Sequence, residues 1–213
     1  MSPSVTIIDY GSGNICSVIR ALEHCGATPM LADDPQAIDT AERLILPGVG
    51  AFADGMAGLR DRGLVEPIRR YARSGRPLLG ICLGMQMLAS GSEEFGEHEG
   101  LDVISGRVIA IPNTTVDGAK QKIPYIGWSA LTRPPAAHWE GSPLQTLSEG
   151  ASVYLVHSYH VVPDRHEHLL AQYSCGGHDV TAAIIAGRIS GCQFHPEKSG
   201  KIGLAVLSSF LEI

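Results

Sequence analysis

Long apolar runs, a basic surplus, paired cysteines and a leader pattern are all missing from this 213-residue chain. The longest apolar runs fall far short of the roughly 20 residues that a spanning helix needs. Met1-Ser-Pro-Ser4 puts no charged segment ahead of an apolar stretch, so a cytoplasmic location is the default expectation. A formal net charge of −6 argues against a general nucleic-acid binder and leaves room only for a local basic patch. Cysteine is present five times (Cys16, Cys25, Cys82, Cys175, Cys192), an odd count with no Cys-x-x-Cys pair. That usage fits reduced thiols better than a disulfide frame or a zinc site, and no metal is expected. Nucleotide signatures are incomplete as well. Gly11-Ser-Gly-Asn14 lies between a strand and a helix, but Cys16 stands where the dinucleotide fingerprint needs its third glycine. The phosphate-loop lysine is also missing, so no nucleotide cofactor is expected.

What is there reads as one ordinary globular domain over residues 1–213. Hydrophobic residues make up 44% and charged residues 18%, with no linker and no internal repeat. Val5–Asp9, Thr28–Leu31, Arg43–Leu46 and Leu78–Ile81 read as strands. Between them, helical patterns cover Ile15 to Leu22 with Gly26 as the stop, a brief helix opened by Asp33-Asp-Pro35, Ala53–Arg60, Leu64–Ser74 and Leu83–Ala89. This alternation predicts an α/β fold: a three-layer, mostly parallel sheet with helices on both faces. After Gly100, Arg107–Ile111, Val153–His157, Leu169–Tyr173, Thr181–Ala186 and Arg188–Phe194 are strand-like and predict antiparallel strands extending that sheet. Gly200–Ile213 closes the chain as an amphipathic helix, and Arg133-Pro-Pro-Ala-Ala137 reads as a surface loop.

The chemistry gathers where strands end. Gly80-Ile-Cys-Leu-Gly84 is a Gly-x-Cys-x-Gly form of the nucleophile elbow, a sharp strand-to-helix turn that presents one side chain at its tip. Alone, the pentapeptide fits equally a buried thiol serving as a small hydrophobe. The second signal is Phe194-His-Pro-Glu197. Pro196 biases His195 out of helix, so an extended turn can set His195 and Glu197 side by side. A carboxylate on one imidazole nitrogen fixes the tautomer and frees the other for a thiol proton. His-x-Glu is weak by itself in a chain with nine histidines. Together with the elbow it completes a Cys82-His195-Glu197 triad. Pro47-Gly-Val-Gly50 follows a neighbouring strand, and the N–H groups of Val49 and Leu83 are the expected oxyanion donors. An isolated Pro-Gly-Val-Gly is also an ordinary turn.

These three segments, with Gly80-Ile-Cys-Leu-Gly-Met-Gln86 read in full, resemble the triad-type (class I) glutamine amidotransferases. The chain is more closely similar to the glutaminase subunits of imidazole glycerol phosphate synthase. Asp9-Tyr-Gly-Ser-Gly-Asn14, Leu46-Pro-Gly-Val-Gly-Ala-Phe52, Pro124-Tyr-Ile-Gly-Trp128, Tyr154-Leu-Val-His-Ser-Tyr159 and Phe194-His-Pro-Glu-Lys-Ser199 carry the likeness over nearly the whole chain. Tyr125 and Ser129 stand where that family often has histidine and asparagine. The resemblance implies that Cys82 attacks the glutamine side-chain amide and forms a thioester, with His195 protonating the departing ammonia. It implies that Gly50, Gln86, Glu94, Ser158 and Tyr159 hold the glutamine. It also implies a heterodimer with a (β/α)8-barrel cyclase that consumes the ammonia, with Asn14, Trp128, Tyr154 and Lys198 at the contact. Read without the resemblance, Ser158 and Tyr159 fit a half-buried strand, and Trp128 fits a core. A free-standing cysteine hydrolase would leave Gln86 and the Tyr10–Asn14 loop without a use. A non-catalytic binding module would be expected to lose Cys82, His195 or Glu197.

Overall fold

In the computed structural model, which describes residues 2–213, strand and helix alternate through the first half. β1 (Ser4–Ile8), α1 (Ile15–His24), β2 (Thr28–Ala32), α2 (Pro35–Thr40), β3 (Leu44–Leu46), α3 (Phe52–Asp61), α4 (Val65–Arg73), β4 (Leu78–Ile81) and α5 (Leu83–Met87) follow in order. Local chemistry sets several boundaries. Asp34 accepts from the Ala37 N–H at 3.0 Å and Pro35 takes the first helical position, so α2 starts there. Gly26, at φ +81, closes the turn after α1, a left-handed conformation that glycine adopts without steric penalty.

The second half supplies β5 (Gly91–Ser92), β6 (His98–Glu99), β7 (Gly106–Ala110), β8 (Tyr125–Ala130), β9 (Ser152–His157), β10 (Tyr159–Pro163), β11 (Leu169–Cys175), β12 (His178–Ala186), β13 (Ile189–Cys192) and α6 (Gly200–Glu212). Seven strands form the main sheet in the order β11-β12-β13-β4-β3-β1-β2. From β2 to β13 all pairings are parallel, and β12 and β11 add on antiparallel. The expected antiparallel extension therefore holds for Leu169–Tyr173 and Thr181–Ala186. Arg188–Phe194 holds to it in part, since β13 is antiparallel to β12 but joins β4 in parallel. Arg107–Ile111 and Val153–His157 depart from it. β7 pairs with β10 and β5 in a separate four-stranded sheet, and β9 pairs with β8 in a two-stranded ribbon. The reason lies in side-chain patterning. β4 and β13 are buried at every position, as a strand covered on both faces must be, whereas β8 alternates between half-buried and exposed. Such a strand has only one face to bury and cannot sit in the middle layer.

Two apolar clusters flank the main sheet. Val5, Ile7, Ile45, Leu79 and Ile81 face one cluster with α1 and α6; Ile8, Leu44, Leu46 and Leu78 face the other, with residues of α2 to α5. This is the period-two division of a three-layer fold. β3 and β4 are neighbours with Leu46 opposite Gly80, so residues 47–50 and Cys82 leave the same carboxyl edge side by side. Among the described residues, no helix is long and apolar enough to cross a membrane.

Candidate active site

Cys82 links β4 directly to α5 with φ +54 and ψ −111, a conformation that non-glycine residues rarely adopt. Its surroundings hold it there. The Cys82 N–H donates to the Cys192 carbonyl at 2.8 Å. A Cβ on Gly80 would stand 2.7 Å from the Met85 nitrogen, and one on Gly84 would overlap the Leu46 carbonyl oxygen. Only hydrogen at these two positions lets α5 lie this close to β3 and β4, which is the physical content of the Gly-x-Cys-x-Gly spacing.

His195 leaves β13 in extended backbone, and Pro196–Lys198 forms one 3-10 turn. The turn is pinned through main chain: the His195 N–H donates to the Tyr154 carbonyl at 3.1 Å, and the Ser199 hydroxyl donates to the His195 carbonyl at 2.7 Å. Inside it, Nδ1 of His195 meets Oε1 of Glu197 at 2.8 Å, with both side chains almost wholly buried. Asn14 Nδ2 approaches the same oxygen at 3.5 Å. Burial by itself pulls the imidazole down, but the hydrogen bonds to Cys82 and Glu197 and the charges of both outweigh it, raising His195 to about 9. An imidazolium between sulfur and carboxylate is therefore the favoured form. With Nδ1 committed to Glu197, Nε2 is the nitrogen left for the sulfur.

Residues 47–50 are held from the β1 side. The Tyr10 hydroxyl donates to the Pro47 carbonyl and the Ser12 hydroxyl to the Val49 carbonyl, both at 3.0 Å. A Cβ on Gly48 would fall 2.6 Å from the Tyr10 hydroxyl and 2.9 Å from Leu83 Cβ, so the loop and the elbow are in direct contact. Gly50, at φ +93, turns the chain into α3.

One cavity of about 300 Å³ is lined by Val49, Gly50, Cys82, Leu83, Gln86, Glu94, Ser158, Tyr159 and His195. The chain thus brings all the expected substrate and oxyanion positions to one hollow with the thiol and imidazole, while Glu197 sits behind His195. Two of them have further duties. Glu94 Oε2 accepts from the Phe52 N–H at 2.6 Å, which fastens the cavity wall to the start of α3. Gln86 points its amide nitrogen inward, to the Tyr159 carbonyl at 2.9 Å and to Gln193 Oε1 at 3.0 Å, so its own Oε1 is the atom available to a ligand. Among the described residues, no group of three His, Cys, Asp or Glu side chains is placed to hold a metal ion.

The four expected contact residues gather around the His195–Glu197 turn. Asn14 touches Glu197, Lys198 is exposed on the turn itself, and Tyr154 is bonded through its main chain to His195 and Ser199. Trp128 is 55% exposed on β8, its ring edge-on to Tyr154 at 6.0 Å between centroids. Sequence reasoning missed His157, buried in the cavity wall with Nδ1 2.8 Å from the Tyr159 carbonyl, and Gln193 beneath the thiol. Gln193 had a readable signal. In an extended segment it shares the face of His195, two positions on.

Comparison with known proteins gives one answer. Residues 6–212 match the family model described as glutamine amidotransferase class-I. The imidazole glycerol phosphate synthase subunit HisH 1 of Legionella pneumophila (strain Paris) is 48% identical over 211 residues, covering 99% of each chain. The HisH subunit of Geobacter sulfurreducens is 44% identical and covers 98% of each. Among solved structures, PurLQS from Thermotoga maritima superposes with a TM-score of 0.74 over 100% of this chain and 99% of its own, at 20% identity, a likeness of fold alone. The chain belongs to the class-I glutamine amidotransferases and, within them, to the HisH subunits of imidazole glycerol phosphate synthase.

Proposed function

We propose that this chain, as a single domain over residues 1–213, is the cytoplasmic glutaminase half of a heterodimer whose other half is a (β/α)8-barrel cyclase of histidine biosynthesis. One observation carries the reading: a thiol on a strained elbow shares a cavity with an imidazole locked by a buried carboxylate at 2.8 Å. Cys82 Sγ attacks the side-chain carbonyl carbon of glutamine while the N–H groups of Val49 and Leu83 receive the developing oxyanion. His195 then gives its proton to the departing nitrogen, so the C–N bond breaks as ammonia and leaves a γ-glutamyl thioester. Water, deprotonated by His195, cleaves the thioester to glutamate and the free thiol.

The substrate's ends match the cavity's charges. Glu94 and Gln86 Oε1 suit the α-ammonium, Ser158 and Tyr159 hydroxyls suit the α-carboxylate, and Gly50 leaves room at the wall. Asn14, Trp128, Tyr154 and Lys198 form the face offered to the cyclase, which turns the ammonia into imidazole glycerol phosphate and aminoimidazole carboxamide ribotide. Two nitrogen donors test this division of labour. Cys82→Ala or His195→Ala protein mixed with the cyclase should make no product from glutamine and normal product from added ammonia. Equal failure with both donors would mean that the ammonia-using chemistry needs these residues too, contrary to the proposal.

A further inference from the structure

Gln193 is fully buried between Cys192 and Phe194 and does not line the substrate cavity. Its Nε2 stands 3.7 Å from Cys82 Sγ, within hydrogen-bond reach of a sulfur acceptor. Its Oε1 accepts from Gln86 Nε2 at 3.0 Å, and the same Gln86 nitrogen donates to the Tyr159 carbonyl at 2.9 Å. His157 Nδ1 donates to that carbonyl at 2.8 Å, and the Tyr173 hydroxyl donates to His157 Nε2 at 2.9 Å. The bonds form one continuous chain from Tyr173 to the sulfur.

The direction of every link follows from one group. A carbonyl oxygen can only accept, so Gln86 must turn its NH2 toward Tyr159. That NH2 requires an acceptor on Gln193, which leaves the Gln193 NH2 facing the sulfur. Flipping Gln193 would set two NH2 groups against each other in a buried site, with donors left unsatisfied. An N–H aimed at sulfur bonds more strongly to the anion than to the neutral thiol.

We propose that Gln193 is a catalytic residue whose amide donates to Cys82 Sγ and holds the thiolate, its polarity fixed by the Tyr159 carbonyl through Gln86. The inference rests on Cys82 being the nucleophile and adds a second donor to the sulfur besides His195. Gln86 belongs to both the cavity wall and this chain, so its contact with substrate and its hold on Gln193 are coupled. The other titratable groups around the sulfur are His195 from the turn after β13, with Glu197 behind it, Cys192 from the end of β13, Tyr10 after β1, and Glu94, His157 and Tyr159 in the wall of the same cavity. Burial raises Cys192 and Tyr10, so both stay neutral through the neutral pH range.

The test is the pH dependence of iodoacetamide alkylation at Cys82 in the full chain, read by mass spectrometry of the Cys82 peptide. Gln193→Met keeps the volume and removes the donor. Its alkylation midpoint should rise by about one to two pH units, the size expected for losing a bond to a charged group. Gln86→Met, which frees the Gln193 amide to rotate, should shift the midpoint the same way by less. A folded Gln193→Met protein with an unmoved midpoint overturns the proposal. Should that variant fail to fold by circular dichroism, unsubstituted protein labelled with side-chain ¹⁵N-glutamine decides instead. One buried glutamine NH2 signal should move as Cys82 ionises and again on its alkylation, and no moving signal overturns the proposal. Glutaminase persisting in Cys82→Ala would instead remove the nucleophile reading, an outcome the alkylation midpoint does not address.

Discussion

Replacing Gly84 with alanine adds one carbon at the point where the elbow is tightest. The new Cβ would overlap the Leu46 carbonyl oxygen and stand 2.7 Å from the Leu46 carbonyl carbon, with the Pro47 carbonyl carbon at 3.3 Å. All three are main-chain atoms of β3 and the loop that follows, so no side chain can swing aside. β3 and α5 must part instead, in a layer buried on both faces. Overpacking of this kind costs typically 1–3 kcal/mol, and a main-chain obstacle places Gly84→Ala near about 3 kcal/mol. The same movement separates Cys82 from Val49, and a misplacement of about 1 Å costs about 10²-fold in rate. Urea denaturation reads the first effect, and glutaminase turnover with the cyclase present reads the second. Gly118→Ala is the control. Gly118, unlike Gly84, has a positive φ, +86, and nothing lies within 4 Å of its Cβ position. That variant should lose about 1 kcal/mol of stability to backbone strain and no turnover. A Gly84→Ala protein as stable and as active as the original would refute the claim that close approach of α5 to β3 positions the nucleophile.

Three more outcomes follow from the same geometry. Glu197→Gln keeps the shape beside His195 but removes its charge, so kcat should fall by about 10²- to 10⁴-fold. Because His195 is raised to about 9, its contribution to stability is full below its unfolded value near 6.5 and is lost as pH rises through 9. Glu197→Gln should flatten that alkaline slope in denaturant titrations, and an unchanged slope would contradict the assignment. Burial lowers His157 and His160 to about 4, so their stabilising effect is full above about 6.5 and is lost as pH falls toward 4. Denaturation should show proton uptake on unfolding across that acid window, with a loss of about 3 kcal/mol per buried imidazole. Finally, Val49 is 41% exposed between two glycines, with its carbonyl tethered by Ser12. Docking of the cyclase with its ligand should aim the Val49 N–H and raise kcat by about 10²–10³ with little change in KM. Equal kcat for the free subunit and the complex would remove the loop as the regulated part.

The first half of the fold was legible because its strands are short apolar runs separated by helices with recognisable starts and stops. The second half was legible only in part. β7, β9, β11, β12, β13 and α6 fall on stretches read as strands and helix, but their division among separate sheets did not show, for a physical reason. β5 and β6 are two residues each, too short to show any period, and β8 contains Gly127 and Ser129 among its alternating positions. β9 and β10 are separated by Ser158 alone; the strand read over Val153–His157 stops where β9 ends, and β10, which joins a different sheet, goes unread. The site was legible where chemistry and backbone demand coincide. Cys82 needs Gly80 and Gly84, and His195 needs Pro196. Residues that act through other side chains left weaker traces. Nothing in the sequence shows that Glu94 fastens to the Phe52 N–H, because that bond depends on how the second sheet docks against α3. Asn14 was assigned to the contact face, and its approach to Glu197 across the α1–α6 side appears only in three dimensions.

Glutaminase turnover of Cys82→Ala, assembled with its cyclase and compared with unsubstituted protein, tests the central claim most directly. Cys82 is the only thiol in the cavity and the only group there placed to form the thioester. The substitution should cut turnover by about 10⁴-fold or more, as losing the nucleophile does in other triads. Rapid quench and intact-mass analysis should find a γ-glutamyl adduct on the unsubstituted protein and none on Cys82→Ala. Turnover within about tenfold of the original in a clean Cys82→Ala preparation, outside the range expected for loss of a triad nucleophile, would contradict the account.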